Sequence, residues 1–190
     1  MIGLLGGSFD PVHHGHLIVG QVAREALGLE AVRFVPTRQQ PFKGGRHGAA
    51  AEHRAAMLVL ALADAPGLAV ELAELDRPGP SYTVDTLREL REREPGREFT
   101  LLLGADAAAE LDAWHRAREI PELARVIVFA RPGSAVPASR LIAGIIDVPA
   151  IDISATEIRQ RVRDGLPIRY WVPDPVAGYI SRHRLYLDPA

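Results

Sequence analysis

The sequence predicts an α/β fold: a doubly wound, mostly parallel sheet flanked by helices, forming a single domain over residues 1–190. Three observations carry that expectation. Short, almost continuously apolar runs recur along the chain, as strands covered on both faces require. Segments with helical apolar spacing separate them. The run Gly6-Gly7-Ser8-Phe9-Asp10-Pro11-Val12-His13-His14-Gly15-His16 lies between the first apolar run and the first helical one. Ligands of such sheets sit at the carboxyl ends of the strands, which is where this run falls.

The elements follow in order. Met1 to Leu5 reads as the first strand, and Leu17, Val19, Gly20, Ala23 and Leu27 give the next segment an apolar helical face, with His16 at or just before its N-terminus. Ala31 to Pro36 reads as the second strand, Thr37 to Gly48 as a polar loop long enough to move, and Ala49 to Ala63 as a helix. Leu68 to Leu75 reads as extended, and Gly79-Pro80-Ser81-Tyr82-Thr83 leads into a charged helix ending near Glu94. Phe99 to Leu103 is the next buried strand, running into Gly104-Ala105-Asp106 and short helical segments that carry Trp114. Val126 to Ala130 and Ile145 to Pro149 complete the strands, with the turn Arg131-Pro132-Gly133 between them. A C-terminal helical portion at about residues 154–185 holds helices starting near Thr156 and Pro175, with Gly165 as C-cap of the former.

Composition narrows the function classes. With 190 residues and 47% apolar composition, the chain is long enough for one sizeable core and short for two. A net charge of −2 with interspersed signs argues against a nucleic-acid-binding surface and still allows a locally basic pocket. Without cysteine there is no disulfide framework and no thiolate metal site. Met1 to Pro11 lacks the basic region of a signal peptide, and the longest apolar stretch, Ala55 to Ala63, is too short to span a bilayer. A soluble, cytoplasmic protein without a membrane partner is expected. The 22 basic residues include a single lysine, Lys43, on the polar loop. Its compact, flexible ammonium is either chemically required or a chance survivor in an arginine-rich chain.

Three constellations carry chemistry. His13 and His16, at i and i+3 on a turn entering a helix, can share one face and donate hydrogen bonds to phosphoryl oxygens that gain charge during displacement. Gly6 and Gly7, lacking Cβ, let backbone amides approach an anion closely. A metal site with His14 and Asp10, and simple capping, stay open as rival readings. A metal is disfavoured because no carboxylate or cysteine cluster stands at ligand spacing, and a Walker A loop is excluded because no Gly-Lys-Ser/Thr follows the glycines. The second constellation, Ile153-Ser154-Ala155-Thr156-Glu157-Ile158-Arg159, reads as a helix start capped by Ser154 or Thr156. Arg159 can reach back to an anion there, whereas Arg161 stands at the spacing of an ordinary ion pair with Glu157. The third, Ser81-Tyr82-Thr83-Val84-Asp85-Thr86-Leu87, is another helix start, whose amides suit a carboxylate or whose hydroxyls merely cap. Trp114, with Leu111 and Ile120, reads by itself as core.

The glycine–histidine run through Leu17 resembles the signature of the bacterial nicotinate-nucleotide adenylyltransferase family, within the nucleotidyltransferase superfamily. Later segments resemble that family's motifs in order and cover nearly the whole chain: Pro36 with Pro41-Phe42-Lys43, Ser81 to Leu87, Gly104-x-Asp106 with Trp114, Arg131-Pro132-Gly133, Ile153 to Arg159, and Val172-Pro173-x-x-Val176-x-x-Tyr179-Ile180. The resemblance implies a Rossmann-like nucleotidyltransferase fold and a reaction. The 5′-phosphate of nicotinate mononucleotide would attack the α-phosphorus of ATP, giving deamido-NAD and pyrophosphate for NAD biosynthesis without a covalent enzyme intermediate. By the same resemblance, His16 would donate to the α-phosphate, His13 would help hold the phosphates, and Lys43 would neutralise charge. Gly7, Ser8 and Phe9 with Ser154, Thr156 and Arg159 would bind ATP and its phosphates. Tyr82, Thr83 and Trp114 would bind the nicotinate nucleotide, and Gly104, Asp106 and Arg131 would make weaker nucleotide contacts. Magnesium would be held mainly through the ATP phosphates, with no protein metal site. The chain could form a homo-oligomer.

Two departures stand out. Phe42 precedes the lysine where the family usually has histidine, and Ala155 replaces a frequent serine. Phosphopantetheine adenylyltransferases, which usually carry threonine at the place of His13 and lack the tyrosine–threonine segment, fit less well. Nicotinamide mononucleotide is the harder competitor as acceptor. A non-catalytic nucleotide-binding regulator is the alternative from another class, against which intact His13, Lys43, His16 and Arg159 speak.

Overall fold

The computed structural model describes residues 1–38, 48–131, 133 and 135–187. Lys43 and Phe42 lie outside the described residues. Six strands form one sheet: β1 (Ile2–Gly7), β2 (Ala31–Pro36), β3 (Leu68–Val70), β4 (Phe99–Gly104), β5 (Arg125–Ala130) and β6 (Gly144–Asp147). Their order is β3-β2-β1-β4-β5-β6, and all five neighbouring pairs are parallel. The chain winds outward from β1 to β3, then returns to place β4 on the other side of β1. That reversal opens a crevice beyond the carboxyl ends of β1 and β4.

The apolar runs are continuous because both faces of the sheet are covered. Leu5, Leu102 and Ile127 face one core, which also holds Phe34, Met57, Leu58, Val176 and Ile180. Ile2, Leu4, Leu101, Leu103, Val126 and Val128 face the other, with Leu87, Leu90 and Ile120. The first core is roofed by α1 (His14–Ala26), α2 (Ala51–Leu62), α7 (Ala155–Arg163) and α8 (Asp174–Arg182), which contribute Ala23, Met57, Ile158 and Val176 to it. The second is roofed by α4 (Thr83–Arg93) and α6 (Ile120–Leu123); α3 (Ala73–Asp76) and α5 (Ala105–Ala109) are short elements beside them.

Several boundaries differ from the sequence expectation. Leu68 to Leu75 is not one extended segment: β3 ends at Val70 and α3 begins at Ala73. Glu71 ends the strand by turning its carboxylate Oε1 onto the Ala73 backbone N–H at 3.2 Å, and good helix formers follow. The helix after β1 starts before His16, because His13 is its N-cap, with extended backbone, and its carbonyl accepts from the amide of His16 at 2.9 Å. The last strand stops at Asp147, before Pro149, which has no N–H to offer the ladder. Gly165, at φ +68°, follows the last turn of α7 as expected, with Asp164 as the formal cap.

Candidate active site

The crevice is a cleft of about 990 Å³, a size suited to a small-molecule or cofactor site. Gly7, Ser8, Phe9, His13 and His16 line one part; Tyr82, Thr83 and Trp114 line another. Gly104, Asp106, Arg131, Ser154, Thr156 and Arg159 also line it, so the described residues of the expected site converge on one space although they are spread over most of the chain.

The β1–α1 turn is held rigidly. Phe9 sits at φ +49°, a left-handed conformation uncommon for a bulky residue, and its buried ring meets His16 edge-on at 4.9 Å and Phe34 at 5.6 Å. The imidazoles of His13 and His16 stack at 3.7 Å, and the His13 backbone N–H donates to His16 Nδ1 at 3.3 Å. Gly15 makes the stacking feasible: a Cβ there would stand 3.0 Å from His13 Nδ1. Burial, and to a lesser extent His14, pushes the His13 pKa down to about 4. Burial and the neighbouring His13 push His16 well below the ordinary histidine range. Both rings are therefore neutral at pH 7, and His13 Nδ1 is buried without a protein partner.

Two buried side chains hold the floor: Arg54, which the sequence reading passed over, and Asp10, which it offered only to the rival metal reading. Arg54 is fully buried and donates to the carbonyls of Ser8 at 2.7 Å, Thr37 at 2.8 Å and Ala49 at 3.3 Å. Asp10 accepts from the amides of Gly48 at 2.6 Å and Ala49 at 3.1 Å, and from the Tyr186 hydroxyl at 2.8 Å. With both oxygens so engaged, Asp10 is an anchor, and the metal reading loses the carboxylate that had supported it. Arg54 was legible in principle: it shares with Met57, Leu58 and Ala61 the inward stripe of α2. Tyr186 carries no such signal, because its partner lies 176 residues away.

Ser154, and not Thr156, caps α7 by accepting from the Glu157 amide at 3.1 Å. The Thr156 hydroxyl instead accepts from Arg159 Nη2 at 3.2 Å, while Arg159 Nη1 donates to the Asp10 carbonyl at 2.7 Å. Arg159 thus reaches back to the β1–α1 turn, as the lean of helical side chains predicts. Arg161 does not pair with Glu157. It donates to the Pro167 carbonyl and lies over the Trp171 ring at 4.8 Å, because α7 turns that side toward the following segment.

On the opposite wall, α4 begins at Thr83 with Tyr82 as N-cap and no side-chain cap. Ser81 does not cap; its hydroxyl accepts from the Arg38 amide at 3.0 Å. No side chain therefore caps the first turn of α4; within it the Asp85 amide donates to the Tyr82 carbonyl at 3.1 Å. Tyr82 packs on His115 at 4.4 Å between ring centres. Trp114 is half-buried on the cleft wall, and its Nε1 is buried without a partner. Glu74, which the sequence reading passed over, also lines the cleft; its Oε1 accepts from the Thr86 hydroxyl at 2.9 Å.

The fold, with its cleft at the β1/β4 reversal, defines the class of protein: a family model described as cytidylyltransferase-like matches residues 4–161. Curated relatives resolve the family further. The "probable nicotinate-nucleotide adenylyltransferase" of Roseiflexus sp. (strain RS-1) is 48% identical over 97% of this chain and 97% of its own length. A protein of the same name from Thermus thermophilus is 46% identical over 97% of this chain and 98% of its own. The chain belongs to the nicotinate-nucleotide adenylyltransferase family. Its fold matches the Plasmodium falciparum nicotinic acid mononucleotide adenylyltransferase complexed with NaAD, with a TM-score of 0.79 at 20% identity, covering 97% of this chain and 96% of that one. Among the described residues, no helix is long and apolar enough to cross a membrane.

Proposed function

We propose that this protein transfers the adenylyl group of ATP to the 5′-phosphate of nicotinate mononucleotide, forming deamido-NAD and pyrophosphate, as one cytoplasmic nucleotidyltransferase domain over residues 1–190. The observation that carries this reading is one cleft with a pair of neutral, stacked histidines on one wall and a partnerless tryptophan beside the α4 N-terminus on the other. One end suits phosphate oxygens and the other a flat ring bearing a carboxylate.

In the reaction, an oxygen of the acceptor phosphate forms a bond to the α-phosphorus as the bond from that phosphorus to the β-bridging oxygen breaks, and pyrophosphate carries away the electron pair. Such displacement asks for positioning and charge stabilisation, with no protein nucleophile. His16 donates from Nε2 to the α-phosphate, and His13 completes the phosphate-facing wall. The turn Gly7-Ser8-Phe9 lies against the nucleotide. Ser154, Thr156 and Arg159 hold the β- and γ-phosphates; Lys43 adds positive charge. Gly104, Asp106 and Arg131 contact the nucleotide more weakly. Trp114 stacks on the cationic pyridinium through its electron-rich face, while Tyr82 and the amide of Thr83 receive the rest of the nicotinate group. Magnesium would come bound to ATP and supply charge neutralisation on the phosphates, without a dedicated protein cage. The engagement of both Asp10 oxygens by protein donors fits that arrangement.

Pyrophosphate release with ATP and magnesium tests the reading, comparing nicotinate mononucleotide, nicotinamide mononucleotide and phosphopantetheine as acceptors. Strong preference for the nicotinate form is the expected result. Preference for the amide overturns the assignment of the carboxylate to the α4 N-terminus, and silence with all three overturns the reaction.

A further inference from the structure

Glu74 stands apart from the other acidic residues around it. It lies on α3, packed beneath the first turn of α4, and only 7% of it is exposed. Its Oε1 accepts from the Thr86 hydroxyl, yet Oε2 is buried without a protein partner. The charged groups around it are already committed. Arg77 donates to the Thr86 hydroxyl at 2.9 Å and to Glu89 at 3.0 Å. Glu71 is paired with Arg33 and Arg93, and Arg38 donates to the Leu75 carbonyl at 2.7 Å. Among the described residues Glu74 forms no ion pair. An ionised carboxylate in such a place, without a cation to pair with, is costly, and a neutral carboxyl is less so. Burial accordingly pushes its pKa up, against the opposing pull of Thr86, Ser81 and Arg77.

The proposed nicotinate pocket begins at the start of α4, and Glu74 lies on the same cleft wall as Tyr82 and Thr83. A carboxylate bound at the α4 N-terminus and an ionised Glu74 beneath that same helix would compete for one helix dipole and repel each other. An amide in the same place would not.

Resting on the reading of the pocket given above, we propose that Glu74 is a specificity-determining residue: a buried carboxyl without an ion-pair partner beneath α4, whose protonation is coupled to binding of a carboxylate-bearing nucleotide and not of its amide. Linkage makes the coupling reciprocal: the bound carboxylate favours protonated Glu74, and deprotonation of Glu74 weakens binding of the acid.

Proton uptake on binding tests this, by titration calorimetry of the full-length protein with nicotinate mononucleotide in two buffers of different ionisation enthalpy, at a series of pH values above the ordinary carboxylate range. Glu74→Gln keeps the size of the side chain, is uncharged at every pH and has no proton to gain. The nucleotide phosphate, which titrates near pH 6, and the active-site histidines contribute equally to both proteins, so the difference between them isolates Glu74. Wild type is expected to take up a fraction of a proton that Glu74→Gln does not, and its affinity for the acid is expected to fall more steeply with rising pH than that of the variant. Identical uptake and identical pH profiles in the two proteins overturn the proposal. Should Glu74→Gln fail to fold, wild type alone decides: greater uptake with nicotinate than with nicotinamide mononucleotide supports the coupling, and equal uptake overturns it. Absence of any binding by nicotinate mononucleotide is a different result, and refutes the substrate assignment itself.

Discussion

The backbone N–H of His13 donates to Nδ1 of His16 at 3.3 Å, and this relationship determines where the His16 proton resides. With Nδ1 accepting, the proton of the neutral ring belongs on Nε2. Burial and the stacked His13 keep the ring neutral. His16 is thereby a hydrogen-bond donor without being a cation, and it can stabilise growing charge on a phosphate oxygen without first losing or gaining a proton.

Replacing His16 by alanine is expected to lower turnover by a factor on the order of 10² to 10³, the usual result of losing one donor to a transition state. Pyrophosphate release at saturating substrates measures it. A near-normal rate in His16→Ala removes His16 from the chemistry.

The same burial makes the fold acid-sensitive. His13 titrates near 4 when folded and near 6.5 when unfolded, so between those values the unfolded chain binds a proton that the native one refuses. Stability from this residue is complete above about pH 6.5 and declines as pH falls toward 4, by up to on the order of 3 kcal/mol. Thermal melts of wild type and His13→Asn over that range check it: the variant should lose stability less steeply, and parallel curves refute the attribution.

Gly48 sits where only hydrogen fits. A Cβ would stand 2.9 Å from Arg159 Cδ and 3.0 Å from Tyr186 Cδ1. Gly48→Ala is expected to push Arg159 from its place between Asp10 and Thr156, raising KM for ATP several-fold while leaving KM for nicotinate mononucleotide nearly unchanged. Equal effects on both substrates would show that the strain spreads beyond Arg159.

Truncating Trp114 to alanine should act the other way. Loss of a cation–π contact worth about 0.5–2 kcal/mol weakens nicotinate mononucleotide by roughly 2- to 30-fold, with little effect on ATP. Substrate-saturation curves for each nucleotide distinguish this from general loosening of the fold.

Asp10 should matter for stability as much as for activity. Removing its carboxylate strands the amides of Gly48 and Ala49 and the Tyr186 hydroxyl, at about 1–3 kcal/mol for each buried group left unsatisfied. Denaturant unfolding of Asp10→Ala and Tyr186→Phe measures the two ends of this anchor, and the tyrosine variant, which loses one bond, should be the milder.

Much of this architecture is legible in the chain. Ala31–Pro36 emerged as a strand with its boundaries intact, and Ser154 and Arg159 could be placed at a helix start, because periodicity, caps and helical side-chain lean are local. Expectations failed where a distant or competing partner intervened. Glu71 turned its carboxylate onto the Ala73 amide and ended a strand expected to run to Leu75, and Arg161 took the Pro167 carbonyl and the Trp171 face in place of Glu157.

The alternation of strands and helices, the glycine–histidine turn at the end of β1, and the family can all be read from the chain alone, because they depend on residue type and spacing. The electrostatics cannot: which imidazoles lose their charge, which carboxylate becomes an anchor, and which stays unpaired beneath α4 emerge with the folded structure. Desolvation and hydrogen bonding are set by what surrounds a group in space: for Asp10 those surroundings include Tyr186, 176 residues away, and for Glu74 the helix that packs over it.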